Sequence, residues 1–255
     1  MMLILTETKK SIGQAVFVVG YARDSTIRTK QFDIEKALAP LIDGPSVNTN
    51  IPDEYNPQAP RVTLAKNRVA AHFSQIAAQL TLDVDNTNGK PLETIKDSLT
   101  KKINLFQSCL DKITPREQQR ERGLVLTVRY PIDSTKFSDE VVFEYIQSRF
   151  LRVKPRGVPA SAEFNVGYKT DDNYFFTLSI AQYKMFSGQI PFMPSAQWFD
   201  IATLPVVESG IEMKVDVNSR PLVNDANQSG DITSTILKKT FDFVLFEADT
   251  FIGME

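Results

Sequence analysis

The stretch "LTLDVDNTNGK", residues 80–90, ends an apolar run in two carboxylates, Asp83 and Asp85, with Thr87 two positions on. A carboxylate acts as a nucleophile when a metal ion and a proton donor stand beside it. The competing reading is turn chemistry, since Asp, Asn and Thr bond nearby backbone amides where a strand gives way to a helix. A second polar set occurs twice. Tyr21 to Thr26 and Tyr130 to Thr135 both read Y-x-x-D-S-T, and Asp24 and Asp133 lie 109 positions apart. Each leaves an apolar strand. Two symmetric polar sites would use these residues, and so would two ordinary turns or helix starts.

Other candidates are spread along the chain. In "SRFLRVKPRG", 148–157, Arg149, Arg152, Lys154 and Arg156 surround Phe150. Such a set can reach phosphates and stack a base. A solvated surface uses the same residues. Segment 187–204 places Ile190, Phe192, Met193, Trp198 and Phe199 between prolines. It suits a lid or a partner-binding edge, and equally a loop packed over the body. His72 is the only histidine and Cys109 the only cysteine. Neither a histidine-rich zinc site nor an intrachain disulfide can form, and no metal ligand set is read. The 11 glycines include no phosphate-cradling loop motif.

The 255 residues suffice for one large or two modest domains. The net charge of −2 gives no global field toward nucleic acid or an anionic membrane. No apolar run reaches the roughly 18 residues of a membrane span. A cytoplasmic setting fits, with no membrane partner.

The elements that must position these residues fall into two series. The first runs from strand 14–22 through helix 32–42, a Pro-rich loop and three short strands to a helix over 92–113. The second runs from strand 124–130 through a helix near Ser138, a hairpin turning at Asp171-Asp172-Asn173 and the strand "GIEMKVDV" to a helix from Asp231. The expectation is an α+β fold of two related strand-helix-strands-helix halves, with a mostly antiparallel sheet covered by long helices. Residues 1–115 form one half, 116–123 a charged connector, and 124–255 a diverged duplicate. Leu82-Asp83-Val84 echoes Val215-Asp216-Val217 within this scheme.

Two resemblances add expectations. Asp83-x-Asp85-x-Thr87 resembles the first motif of the haloacid-dehalogenase phosphohydrolases. That likeness would make Asp83 the nucleophile and Asp85 the acid/base, with magnesium as cofactor. The order of elements, with "AVFVVGY", "APRVTL", "MKVDVN" and the closing Asp249-Thr250-Phe251, is similar to a set of uncharacterised, sporadically distributed bacterial proteins. That family brings no catalytic set, and some members lie near mobile or defence-type genes. Three functions follow as expectations. The first is a non-catalytic intracellular binding protein with a protein partner or a second copy, needing no cofactor. The second is a magnesium-dependent phosphohydrolase on Asp83 and Asp85. The third is a nucleic-acid-binding accessory protein using 148–157.

The closing stretch "TFDFVLFEADTF", 240–251, breaks strand alternation but continues the helical phase of "DITSTILKK". At about 100° per residue Glu247 lies among the inward residues, and it is expected to be less exposed than Asp242. A buried carboxylate there needs an ion pair, a hydrogen bond or a polar pocket.

Overall fold

The computed structural model describes residue 5 and residues 8–86, 89–151, 157–187, 204–222 and 231–254. Strand β1 (Ser11–Tyr21) shows the alternation that builds the sheet. Ala15, Phe17, Val19 and Tyr21 are buried on one side, while Gln14, Val16 and Val18 are half-buried on the other. After the two-residue β2 (Val47–Asn48) come β3 (Val62–Lys66), β4 (Val69–Phe73) and β5 (Ala77–Asp83). The second series supplies β6 (Gln119–Pro131), β7 (Glu163–Lys169), β8 (Phe175–Phe186) and β9 (Val206–Asn218). They form one nine-stranded sheet in the order β2-β3-β4-β5-β1-β6-β9-β8-β7. Every neighbouring pair is antiparallel.

Strands β1 and β6 meet at the middle. Outward from β1 run β5, β4 and β3; outward from β6 run β9, β8 and β7. The registers match as well. Val16 pairs with Thr81 and Val125 with Asp216; Gln14 pairs with Asp83 and Gly123 with Asn218. A shift of 109 carries Val16 to Val125, and a shift of 135 carries Thr81 to Asp216 and Asp83 to Asn218. The sequence echo of 82–84 with 215–217 therefore lies two residues out of register. Two residues is one side-chain period, so that alignment keeps the face and misplaces the partner.

The helices contact the face that carries Phe17. In α2 (Leu92–Leu110), buried Ile95, Leu99, Ile103, Phe106 and Leu110 form the stripe that the sequence shows. The Phe106 ring centroid lies 6.3 Å from those of Phe17 and Phe73. Short α1 (Gln31–Leu38) buries Ile34, Ala37 and Leu38. In α3 (Asp139–Ile146), the Asp139 carboxylate accepts from Gln182 at 2.6 Å and Lys184 at 2.5 Å on β8. Helix α4 (Ile232–Asp242) starts at Asp231, whose side chain accepts from the Ser234 amide.

Two expectations are corrected here. The charged connector 116–123 is a 3-10 turn (Arg116–Gln118) followed by the first residues of β6. It forms a strand without apolar residues because β1 pairs its backbone and neighbours satisfy its side chains. Arg122 pairs with Val19 in the ladder and donates to Gln107 at 3.2 Å and Gln119 at 2.9 Å; Glu121 meets Arg220 at 3.0 Å.

The second correction is Glu247. Helix does run through 240–251, but Glu247 is exposed and Asp242 only half-exposed. The cause is a π-helical turn (Phe243–Glu247) between α4 and α5 (Ala248–Ile252). One extra residue per turn advances the phase by a position. Ala248 and Ile252 then occupy the inward track, and Glu247 is rotated out with Phe246.

The Pro-rich segment before β3 is ordered around one side chain. Arg61 is fully buried and donates to the carbonyls of Pro52, Tyr55, Asn56 and Ala59 at 2.7–3.3 Å. Its Nε reaches Asp53 at 3.2 Å. Arg28 adds bonds to the carbonyls of Thr49 and Ile51.

Candidate functional site

The face turned away from those helices is the broadest functional candidate. Alternation assigns its residues. One row across the strands reads Ala65, Ala70, Thr81, Val16, Val125, Asp216, Thr177 and Gly167. The next reads Thr63, His72, Gln79, Val18, Gly123, Asn218, Phe175 and Lys169. Small and short polar side chains dominate, so the surface is wide and shallow. Val16, Val18 and Val125 give it a half-buried apolar centre along the β1–β6 seam.

Its charge is uneven. Among the described strand residues, Arg129, Lys169 and Lys214 face Asp83, Glu121, Glu163, Glu208, Glu212 and Asp216. Acid therefore exceeds base on this face. Arg129 is fixed in place: Nε lies 3.2 Å from Glu212, the guanidinium carbon stands 5.2 Å from the Tyr183 ring centroid, and Nη1 reaches the Met185 sulfur at 3.2 Å. The Tyr183 hydroxyl donates to Glu208 at 2.7 Å. Burial, then that carboxylate, pushes the Tyr183 phenol upward, so it stays protonated.

Asp216 stands apart from these pairs. Its carboxylate accepts from Asn218 at 3.2 Å, and burial raises its pKa above the ordinary carboxylate value. The folded chain thus holds this proton more tightly than the unfolded chain does. The ionised form costs stability once pH exceeds the folded pKa, and the cost vanishes below the unfolded pKa. Asp216→Asn is accordingly expected to raise the urea midpoint at neutral pH and leave it unchanged in acid below the ordinary carboxylate range. Identical shifts at both pH values would contradict this account. His72 shares the face; burial lowers its pKa, and its Nδ1 is buried with no hydrogen-bond partner.

The candidates read from sequence are placed as follows. Asp83 is exposed at the end of β5 and accepts from Gln14 at 2.8 Å. Asp85 lies 3.4 Å from Arg68. The sheet around them is antiparallel, whereas the phosphohydrolase family needs alternating strands and helices around a parallel one. Among the described residues, no three His, Cys, Asp or Glu side chains gather as a metal group. Arg149 donates to the carbonyls of Thr250 at 3.0 Å and Phe251 at 3.3 Å, so it caps the C-terminal helix. Phe150 stacks on Phe164 at 4.8 Å and on Phe251 at 5.6 Å, which removes it as a base-stacking platform. Arg152, Lys154, Arg156, Phe192, Met193, Trp198 and Phe199 lie outside the described residues. Cys109 is buried on α2, and desolvation pushes its thiol pKa up, away from nucleophilic use.

The two Y-x-x-D-S-T sets are a matched pair of turns. Asp24 Oδ1 accepts from the Thr26 amide at 2.9 Å and hydroxyl at 2.6 Å; Asp133 Oδ1 accepts from the Thr135 amide at 3.0 Å and hydroxyl at 2.6 Å. The Lys30 ammonium 2.7 Å away and then the Thr26 bonds lower the Asp24 carboxyl pKa, and the Thr135 bonds lower that of Asp133.

Sequence reasoning missed Arg129, Tyr183 and Glu208. The available signal for Arg129 was the alternation in "LTVRY", where Thr127 and Arg129 fall opposite Leu126, Val128 and Tyr130. Among the described residues, no helix is long and apolar enough to cross a membrane. No protein-family model matches the chain, and a search of curated proteins finds no match.

Proposed function

We propose that this chain is a non-catalytic binding protein that engages another protein across the sheet face opposite the helices. In this reading its halves are diverged copies of one strand-helix-strands-helix unit, and the longer helices cover the other face. The observation that carries it is the continuous surface of short side chains centred on Val16, Val18 and Val125. A wide shallow face suits a macromolecule better than a small ligand, which needs a concave pocket. The acid excess there disfavours a phosphate backbone, so protein is preferred over nucleic acid. The candidate phosphohydrolase carboxylates are engaged with Gln14 and Arg68.

The test is a paired substitution, Thr81→Arg with Thr177→Arg, which raises two long charges from half-buried positions on this face. Quantitative affinity capture should lose a defined set of partner proteins relative to wild type, while the far-UV spectrum stays native. Full retention of every partner would overturn the proposal. Magnesium-dependent phosphatase activity abolished by Asp83→Asn would replace it with the enzyme reading.

A further inference from the structure

The two ends of the sheet are not alike. One is closed by β2, only two residues long. Short terminal strands are a common protection against edge pairing. The other end is β7, seven residues long, with neither proline nor a bulge in its pairing to β8. Among the described residues no further strand lies beyond it, and its outer edge carries backbone donors and acceptors.

The residue pattern of β7 complements itself. Its sequence is Glu163-Phe164-Asn165-Val166-Gly167-Tyr168-Lys169. Lay a second β7 beside it, antiparallel, with the two-fold axis at Val166. Glu163 then faces the partner's Lys169, Phe164 faces the partner's Tyr168, and Asn165 faces the partner's Gly167. Opposite residues in an antiparallel pair share a face. The aromatic pairs would therefore extend the helix-contacting side, where Tyr168 already stacks on Phe176 at 5.2 Å and Phe164 on Phe150 at 4.8 Å. The charged pairs would lie on the other side. Both Glu163 and Lys169 are exposed, and neither makes an ion pair among the described residues. Glu163 accepts from Asn165 at 2.9 Å. A shift of the axis by one residue in either direction breaks the charge match. Tyr168 is also 47% exposed, so its ring has surface left for a partner's strand to cover.

We infer that β7 is a homodimer edge: two copies join their sheets antiparallel through Glu163–Lys169, in register about Val166. The edge borders the open face and shares Glu163 and Lys169 with it, but the dimer rests on strand pairing at β7 and partner binding on the β1–β6 centre, so either can fail without the other. The twofold axis doubles every pair, so each substitution acts twice.

The experiment measures association by sedimentation across concentration, with far-UV spectra to monitor folding. Wild type should show a reversible monomer–dimer equilibrium. Lys169→Glu places Glu against Glu at both ends and should weaken the dimer by about tenfold or more, since like charges directly opposite repel. Adding Glu163→Lys to that variant restores opposite charges in reversed order and should recover the dimer. Val166→Cys supplies an independent readout. The axis brings the two Cα atoms to about 4.5–5.5 Å, within disulfide reach, so oxidation should give a covalent dimer. Gly167→Cys, off the axis, should not cross-link efficiently, and native Cys109 is buried. A wild type that stays monomeric at about millimolar concentration, far above any functional dimer Kd, would overturn the inference. So would a folded double swap that stays dissociated.

Discussion

Gly210→Ala should cost about 3 kcal/mol or more of unfolding free energy and detach β9 from the end of β6. A β-carbon at Gly210 would stand 2.1 Å from the carbonyl oxygen of Tyr130, and 3.0 Å from both the Ile132 nitrogen and the Pro131 α-carbon. All three are backbone atoms, so no rotamer change relieves the contact. Gly210 faces Pro131 in the β6–β9 ladder and Tyr183 in the β9–β8 ladder. Pro131 has no amide proton, and the chain continues through Ile132, whose amide bonds the Ser209 carbonyl at 2.8 Å. Glycine within a strand often marks such a close backbone approach. The added methyl must push β6 and β9 apart where Arg129, Tyr183 and Glu208 are held. Urea denaturation measures the effect. The control is Gly157→Ala, where a β-carbon meets no atom within 4 Å. Its expected change stays within about 0.5 kcal/mol. Equal midpoints for the two variants would show that the β6–β9 approach is not constrained as described.

The local elements were legible because local chemistry determines them. The β7–β8 hairpin follows from alternation on both sides of a polar turn, and Asn173 there adopts φ 65. The β3–β4 turn follows in the same way, with Asn67 at φ 49 and Arg68 at φ 64. Helix α2 was visible in its stripe, ending within three residues of the expected position. What sequence could not show depends on contacts made at a distance. The start of β6 is a strand because β1 lies beside it, so its charged composition misled. The π turn in the last helix depends on how Phe243, Val244 and Ala248 pack, and single-helix phase arithmetic has no access to that. Glu247 was misplaced for that reason alone. The open face is a third example. Alternation identifies two faces per strand but not which one the helices meet. Asp216 could thus be placed on the strand "GIEMKVDV" but not on a face, and the ladder puts it mid-sheet beside Val125.

Removing the guanidinium at position 61 should be the other large loss. Arg61→Ala is expected to cost about 3 kcal/mol, because it removes the donor that four loop carbonyls share and leaves a void where a fully buried side chain stood. The Asp53 pair contributes less to that figure. Its carboxylate side chain is 43% exposed and can be resolvated. The carbonyls of Pro52, Tyr55, Asn56 and Ala59 lose the one side chain that ties them together. The loop should therefore open. Hydrogen exchange across 50–60 should accelerate by more than that of the β1–β6 seam, and limited proteolysis should find a new site there. Arg61→Lys is the sharper probe. It keeps the charge but loses the planar fork that spans several acceptors at once, so most of the loss should remain. Gln75, fully buried, would still hold the Asp53 carbonyl at 2.9 Å, and its amide would still bond the Pro57 carbonyl at 3.0 Å. Opening should consequently stop at those anchors rather than spread into β4. Near-native stability of Arg61→Lys would show that charge, not fork geometry, organises this loop. Unchanged exchange in Arg61→Ala would show that the loop is held by its prolines and by Arg28 instead.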